Sequence, residues 1–283
     1  MSVVPTKILV ERALARQYAV PAFNVFNDLS MEAVLAAAEE LHSPLIVQTS
    51  VKTVRTIGSG VLIAMWQAMT RDLRAPVALH LDHCPEREVI SECLAAGWNS
   101  VLFDASTLSV EDNERQCVEV VAEARRFGAH VECEIEAIQG VEDGIGSGAV
   151  SRAQALDVAV RFIKNTGVDV FAPSIGNAHG VYPAEPRLDA QRVSDLVAAT
   201  GVPMALHGGT GLSPAQFSDL IGRGCAKVNV STAVKLRYLA ANRDYLQEHP
   251  EDSDPPSLFR HVRTELIDMA RDHIRMFGSE GKG

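Results

Sequence analysis

Short apolar runs alternate with longer stretches of helical period along nearly the whole chain. The runs at 18–24, 44–49, 77–81, 100–103, 130–135, 168–172, 203–206 and 226–230 are rich in Val, Ile, Leu and Ala. Continuous apolar runs of this length, bounded by turn residues, mark strands buried on both faces. Between them, 30–41, 60–71, 85–96, 110–127, 151–166, 189–200, 214–223 and 232–248 space their apolar residues as amphipathic helices do. Many open on Ser30, Pro85, Ser151 or Pro214 and close near Gly97, Gly128, Gly167, Gly201 or Gly224, the start and stop signals of helices. Eight strand–helix pairs in strict alternation imply parallel pairing, and eight is the number that closes a (β/α)8 TIM barrel. An open doubly wound sheet is the rival, disfavoured by the lack of a GxGxxG turn after the first strand.

Two segments stand outside the repeat. Residues 137–150 (AIQGVEDGIGSGAV) are glycine-rich and read as a structureless loop, of the kind that carries function in compact domains. Residues 249–256 (HPEDSDPP) read as a connector to an additional C-terminal helix at 257–277, with a frayed tail at 278–283. Nothing marks a second domain, so residues 1–283 are expected to form one barrel.

Composition narrows the partners. Lys and Arg number 26 against 36 Asp and Glu, a net charge of −10, which excludes nucleic acid or an anionic membrane as the main partner. Small phosphates stay open, because backbone amides alone can bind them. The cysteines Cys84, Cys93, Cys117, Cys133 and Cys225 are odd in number and form no CxxC pair, as reduced thiols do. The N-terminus lacks a signal-peptide pattern, and no apolar run reaches the ~20 residues that span a bilayer. A cytoplasmic protein is expected.

Barrel active sites lie at the carboxyl ends of the strands. Those positions hold Asn24, Ser50, Asp82, His83, Asp104, Glu134, the run 174–179, His207 and the run 229–232, a polar set on apolar strands. A lone histidine at a strand end is more often a hydrogen-bonded structural residue. Three at corresponding ends, His83, His179 and His207, suit a divalent metal with an open fourth position, as in catalytic zinc sites. His80 shares a strand face with Asp82 by period-two alternation, whereas Asp82 and His83 should point to opposite faces. His42, His249, His261 and His273 read as solvent-facing. The turn HGGTG (207–211) and the run NVST (229–232) follow the seventh and eighth strands, where such barrels commonly cradle phosphate. Asp82 could orient a ligand imidazole or move a proton. Glu142, on the glycine-flanked segment, reads from its surroundings alone as a solvated carboxylate.

Eight motifs now stand in order: PAFN (21–24), HLDHC (80–84), FDAS (103–106), ECEIE (132–136), GVEDG (140–144), SIGNAHG (174–180), LHGGTG (206–211) and KVNVST (227–232). Together they resemble the class II, metal-dependent fructose-1,6-bisphosphate and tagatose-1,6-bisphosphate aldolases over residues 6–277. The resemblance implies cleavage of a phosphorylated ketose to dihydroxyacetone phosphate and an aldehyde, with fructose 1,6-bisphosphate the leading substrate. Tagatose 1,6-bisphosphate or another ketose 1-phosphate is the alternative; a metal-dependent sugar-phosphate isomerase or epimerase is the rival from another class. It implies His83, His179 and His207 as ligands of Zn²⁺, with Asp104 and Glu134 able to hold a displaced or second divalent ion, or a monovalent one. Asp82 matches the acid/base on the aldehyde-derived oxygen, and Glu142 the residue exchanging the proton beside the ketone. Gly180, Gly208, Gly209, Thr210, Asn229, Val230, Ser231 and Thr232 match the dihydroxyacetone phosphate site. Asn24, Ser50 and Lys52 face the substrate, and Arg260 matches an arginine given to the far phosphate of a neighbouring subunit in a homodimer or homotetramer. The sequence departs from the family at Glu136, where glycine is usual, at Ser231, and at Lys52, which replaces a small residue.

Overall fold

Inward and outward side chains alternate along each strand, and that alternation builds the lumen. The computed structural model describes residues 2–138, 140–142, 145–147, 153–180 and 186–283. The first five strands are β1 (Val20–Asn24), β2 (Leu45–Ser50), β3 (Val77–Cys84), β4 (Ser100–Asp104) and β5 (His130–Glu134). A separate antiparallel pair follows, β6 (Gly140–Glu142) and β7 (Ile145–Ser147). The chain then returns to the main sheet with β8 (Val170–Phe171), β9 (Met204–Leu206) and β10 (Cys225–Val230). Strands β1 to β5 and β8 to β10 are parallel and close into an eight-stranded barrel. The TIM barrel expectation holds.

The lumen is layered. At the bottom, Val20, Ala22, Ile46, Ala78, Val170, Ala172, Ala205 and Ala226 pack with Leu9, Val10 and Ala13 of the helix Thr6–Arg16, which plugs the amino ends of the strands. One step of two along the same strands the inward row turns polar, with Gln48, His80 and Glu132. Lys227 joins them because a bulge between Cys225 and Lys227 inserts a residue and re-aims the strand. The rim then carries Asn24, Ser50, Asp82, Asp104, Glu134 and His207. The larger apolar core lies outside the barrel, between strands and surrounding helices.

Five observations depart from expectation. Within 137–150, expected to be structureless, Gly140–Glu142 and Ile145–Ser147 pair as antiparallel strands, and residues 139, 143–144 and 148–150 lie outside the described residues. Helices at Thr6–Arg16 and Val51–Ile57 were not expected. The tail is not frayed: Ser279 is buried, and the Gly281 and Gly283 amides donate to the Leu41 and His42 carbonyls at 2.9 and 2.8 Å. Nor do all the peripheral histidines face solvent. His273 lies edge-on to Phe23 and Phe277, and His261 packs on Tyr245. The last helix, Pro255–Met276, begins two residues early because its prolines occupy the first turn, where no amide partner is needed. All five cysteines are free and buried. Among the described residues no helix is long and apolar enough to cross a membrane.

Candidate active site

Period-two alternation would turn Asp82 and His83 apart. It fails there because β3 shifts register against β4 between Leu81 and Cys84, and His83 takes φ +39°. That region is rarely occupied by a residue with a Cβ, and such outliers gather at functional sites. The local distortion lets two consecutive side chains serve one rim.

The three histidines converge. Ring centroids of His83 lie 5.0 Å from His179 and 4.8 Å from His207, and one ligand atom from each lies within 4.8 Å of the others. His83 Nδ1 donates to Asp104 Oδ2 at 2.9 Å, and His207 Nε2 pairs with Glu132 Oε1 at 2.7 Å. Each bond fixes a tautomer and leaves the opposite nitrogen, His83 Nε2 or His207 Nδ1, as the lone-pair donor. Both of those buried nitrogens find no hydrogen-bond partner among the described residues. A buried cluster with orphaned lone pairs fits a divalent ion. His83, Asp104 and Glu134 form a second such group.

Charges are shared unevenly here. Burial opposes a proton charge on His83, yet the carboxylates of Asp82, Glu134 and Asp104 around it hold its pKa well above the usual 6.5. Burial also opposes ionisation of Asp104, but His83 and the Ser106 hydroxyl keep its carboxyl below the carboxylate range. Glu134 goes the other way, pushed well up by burial and by the neighbouring Asp104. Burial lowers the pKa of His207.

Asp104, not Asp82, is the carboxylate bonded to the His83 ring. Asp82 Oδ2 instead accepts from Asn24 Nδ2 at 2.7 Å, and Oδ1 from Asn229 Nδ2 at 3.2 Å. These bonds belong to one buried chain. Gln48 donates to Asn24 at 2.8 Å, Lys227 donates to Asn229 at 2.7 Å, and Lys227 pairs with Glu132 at 2.8 Å, which in turn holds His207. Burial resists the charge of Glu132, but Lys227 and His207 keep it ionised below the usual range.

Asn24 and Asn229 each open onto a cavity. One, of about 190 Å³, is lined by Gly209, Thr210, Gly211, Asn229, Val230 and His273. Ser231 and Thr232 adjoin it at the start of the helix Thr232–Glu248, and the buried Ser231 hydroxyl has no hydrogen-bond partner among the described residues. Gly208, at φ +64°, is required for close approach: a Cβ there would lie 2.2 Å from the Ala178 carbonyl oxygen. Gly180 also has positive φ, +86°. The other cavity, of about 330 Å³, is lined by Asn24, Ser50, Lys52 and Thr53 on one side and Lys235 and Tyr238 on the other. Ser50 accepts from the Thr53 amide at 3.2 Å, capping the helix Val51–Ile57. Arg260 lines neither cavity; it is exposed and donates to Ser257 at 2.7 Å. The side chain of Glu142 lies outside the described residues.

The sequence pattern of class II fructose-bisphosphate aldolases matches residues 4–282. The chain belongs to that family. The YdjI aldolase from Escherichia coli K12 is similar to this aldolase over 99% of both chains, with 31% identity and a TM-score of 0.87. A candidate fructose-1,6-bisphosphate aldolase from Coccidioides immitis shares 29% identity over 97% of this chain and 96% of its own, at a TM-score of 0.90. The fructose-bisphosphate aldolase from Campylobacter jejuni has the same fold, with 21% identity, a TM-score of 0.85, and cover of 100% and 97%. Sequence reasoning about this aldolase missed Lys227, Lys235, Tyr238 and His273 at the site. It also missed Asn177, which donates to the His207 carbonyl at 2.9 Å and so ties the turn bearing His179 to His207. The motif SIGNAHG contained the signal for Asn177. Lys227 opens the motif KVNVST, but its place in the lumen is legible only with its carboxylate partner Glu132 from across the barrel.

Proposed function

We propose a metal-dependent aldolase that reversibly cleaves a ketose bisphosphate, foremost fructose 1,6-bisphosphate, to dihydroxyacetone phosphate and an aldehyde such as glyceraldehyde 3-phosphate. The single observation that carries this is the placement of Asp82, beside the histidine cluster and hydrogen-bonded on either side to the residue that opens each cavity. His83, His179 and His207 would hold the ion, for which the zinc donor set of three imidazoles is apt, with Asp104 and Glu134 available to a second cation. When bound there, a divalent ion supplies Lewis-acid withdrawal of the charge that develops on the ketone side.

The chain's own residues account for the proton steps. Scission between C3 and C4 requires removal of the proton on the C4 hydroxyl, and Asp82 is placed to take it. The electron pair of the broken bond passes to the C3 side, and Glu142 is assigned the proton that restores that carbon. Gly180, the turn 208–210 and the run 229–232 receive the phosphate of the dihydroxyacetone half through amides and hydroxyls. The distal cavity receives the other end of the substrate, where Ser50, Lys52 and Lys235 favour an anion. Arg260 is assigned to the distal site of a second copy in a homodimer or homotetramer, and a cytoplasmic location is expected.

A coupled reductase assay for dihydroxyacetone phosphate, run across ketose 1-phosphates and bisphosphates, tests the reading. Release from fructose 1,6-bisphosphate that disappears on chelation and returns with Zn²⁺ is the expected result. Release from tagatose 1,6-bisphosphate alone selects the alternative substrate, and isomerised product without release selects the isomerase. Asp82→Asn should keep the metal and lose ~10²–10⁴-fold in cleavage.

A further inference from the structure

Glu136 stands where the resembled family has glycine, and the structure surrounds it with partners. Its side chain is completely buried, and that of Arg192, in the first turn of the helix Ala190–Thr200, is 8% exposed. Arg192 Nη2 donates to Glu136 Oε1 at 2.7 Å. The same oxygen accepts from the Gln154 amide at 2.9 Å, while Arg192 Nη1 donates to the Gln154 carbonyl at 2.7 Å. Glu136 Oε2 accepts from the Ser174 amide at 3.4 Å. Asp189 accepts from the Arg192 amide at 3.2 Å, which fixes the base of the arginine.

Both backbone polar groups of Gln154 are therefore held by one ion pair. Glu136 leaves the barrel immediately after β5, and Gln154 is where the chain comes back toward the helix Leu156–Thr166. The segment between them carries Glu142. Fixing its two ends together removes much of the freedom that a connection of this length otherwise keeps. A buried ion pair is a weak source of stability, since desolvation offsets most of its attraction; its best-attested use is to specify one arrangement.

We propose that Glu136 and Arg192 are positioning residues that staple the two stems of the Glu142-bearing segment at the rim of the barrel. This rests on the role assigned to Glu142 above. The staple acts through Gln154 and Ser174 and touches no substrate, so it should govern proton exchange at C3 while leaving metal content alone.

The test compares Glu136→Gln, the double variant Glu136→Leu with Arg192→Met, and Glu142→Ala, all in the full-length metal-loaded enzyme. The double variant removes both charges together and leaves no unpaired buried ion, so it folds with a melting temperature near that of the parent. Solvent tritium exchange into dihydroxyacetone phosphate should fall by on the order of 10²-fold in the double variant, the size of loss a small misplacement produces. Limited proteolysis should cut the chain between Glu136 and Gln154 at least about tenfold faster. Metal stoichiometry should stay at the parental value. Parental exchange together with parental protease resistance in the double variant overturns the staple. Normal exchange in Glu142→Ala refutes the role of Glu142 instead, and the proteolysis result then decides on the staple alone.

Discussion

The floor and the middle of the barrel lumen are built from the same strands, a single step of two residues apart, on opposite physical principles. The floor is alanine and aliphatic, closed by Leu9, Val10 and Ala13 from the first helix. The middle carries a buried chain of amides and charges up to the rim, from Gln48 through Asn24, Asp82, Asn229, Lys227 and Glu132 to His207. Packing in the floor is non-directional, so many apolar sets would fill it at modest cost. Bonds in the middle are directional and mutually dependent, so every member is constrained by the next. The first layer supports the barrel; the second aims the side chains above it.

The contrast can be broken most severely at Lys227. Lys227→Met removes the cation and leaves Glu132 buried without it, which should cost about 3–5 kcal/mol. Urea unfolding should show that loss, and dihydroxyacetone phosphate release should fall with it. A variant as stable and active as the parent would mean that the middle layer packs like the floor. Leu9→Ala probes the other side. Truncating this buried side chain should cost about 2–3 kcal/mol by cavity formation, with metal affinity and turnover of the folded enzyme unchanged. Any loss of turnover at saturating metal would show that the floor also aims the site.

The smallest effect is electrostatic and lies outside the lumen. Glu39 accepts from the Arg74 side chain and from the Arg74 and Ala75 amides, and the guanidinium bond above all lowers its pKa from 4.5 to about 2. A depressed carboxyl stabilises the fold above its unfolded value of about 4.5, and the contribution disappears as pH falls through about 2. Arg74 is 82% exposed, so solvent screening limits the term to less than about 1 kcal/mol. Arg74→Ala should therefore lower stability slightly at pH 7 and not at all below pH 2, as acid titration of unfolding would show.

Legibility followed the same division. The floor and the strand bodies could be read from the sequence because burial imposes composition and period on Val20, Ala22, Ile46 and Ala78 directly. The rim residues could be read because each stands at a strand end, and the family motifs supplied their order. The helix Val51–Ile57 escaped because it continues from β2 with no break beyond its Ser50 cap. Asp82 and His83 were both legible at the strand end, but the way consecutive side chains share the rim was not, because a register shift overrides alternation and no residue type announces a φ of +39° at histidine. The polar chain escaped for a different reason. Apart from Lys227–Asn229, which lies within β10, its bonds join different strands, up to 147 positions apart for Asn229 and Asp82, so neither partner alone signals the contact.

Among the described residues the distal cavity meets the polar chain at Asn24, and Lys52, Thr53, Thr56, Tyr238 and Leu239 line its wall. Selection can therefore act on those wall residues one at a time, whereas the lumen yields only to coordinated changes. The barrel thus separates a mutually bonded centre from a wall whose side chains can be exchanged singly. A laboratory search for new carbon–carbon bond partners should randomise that wall and leave the lumen as it is.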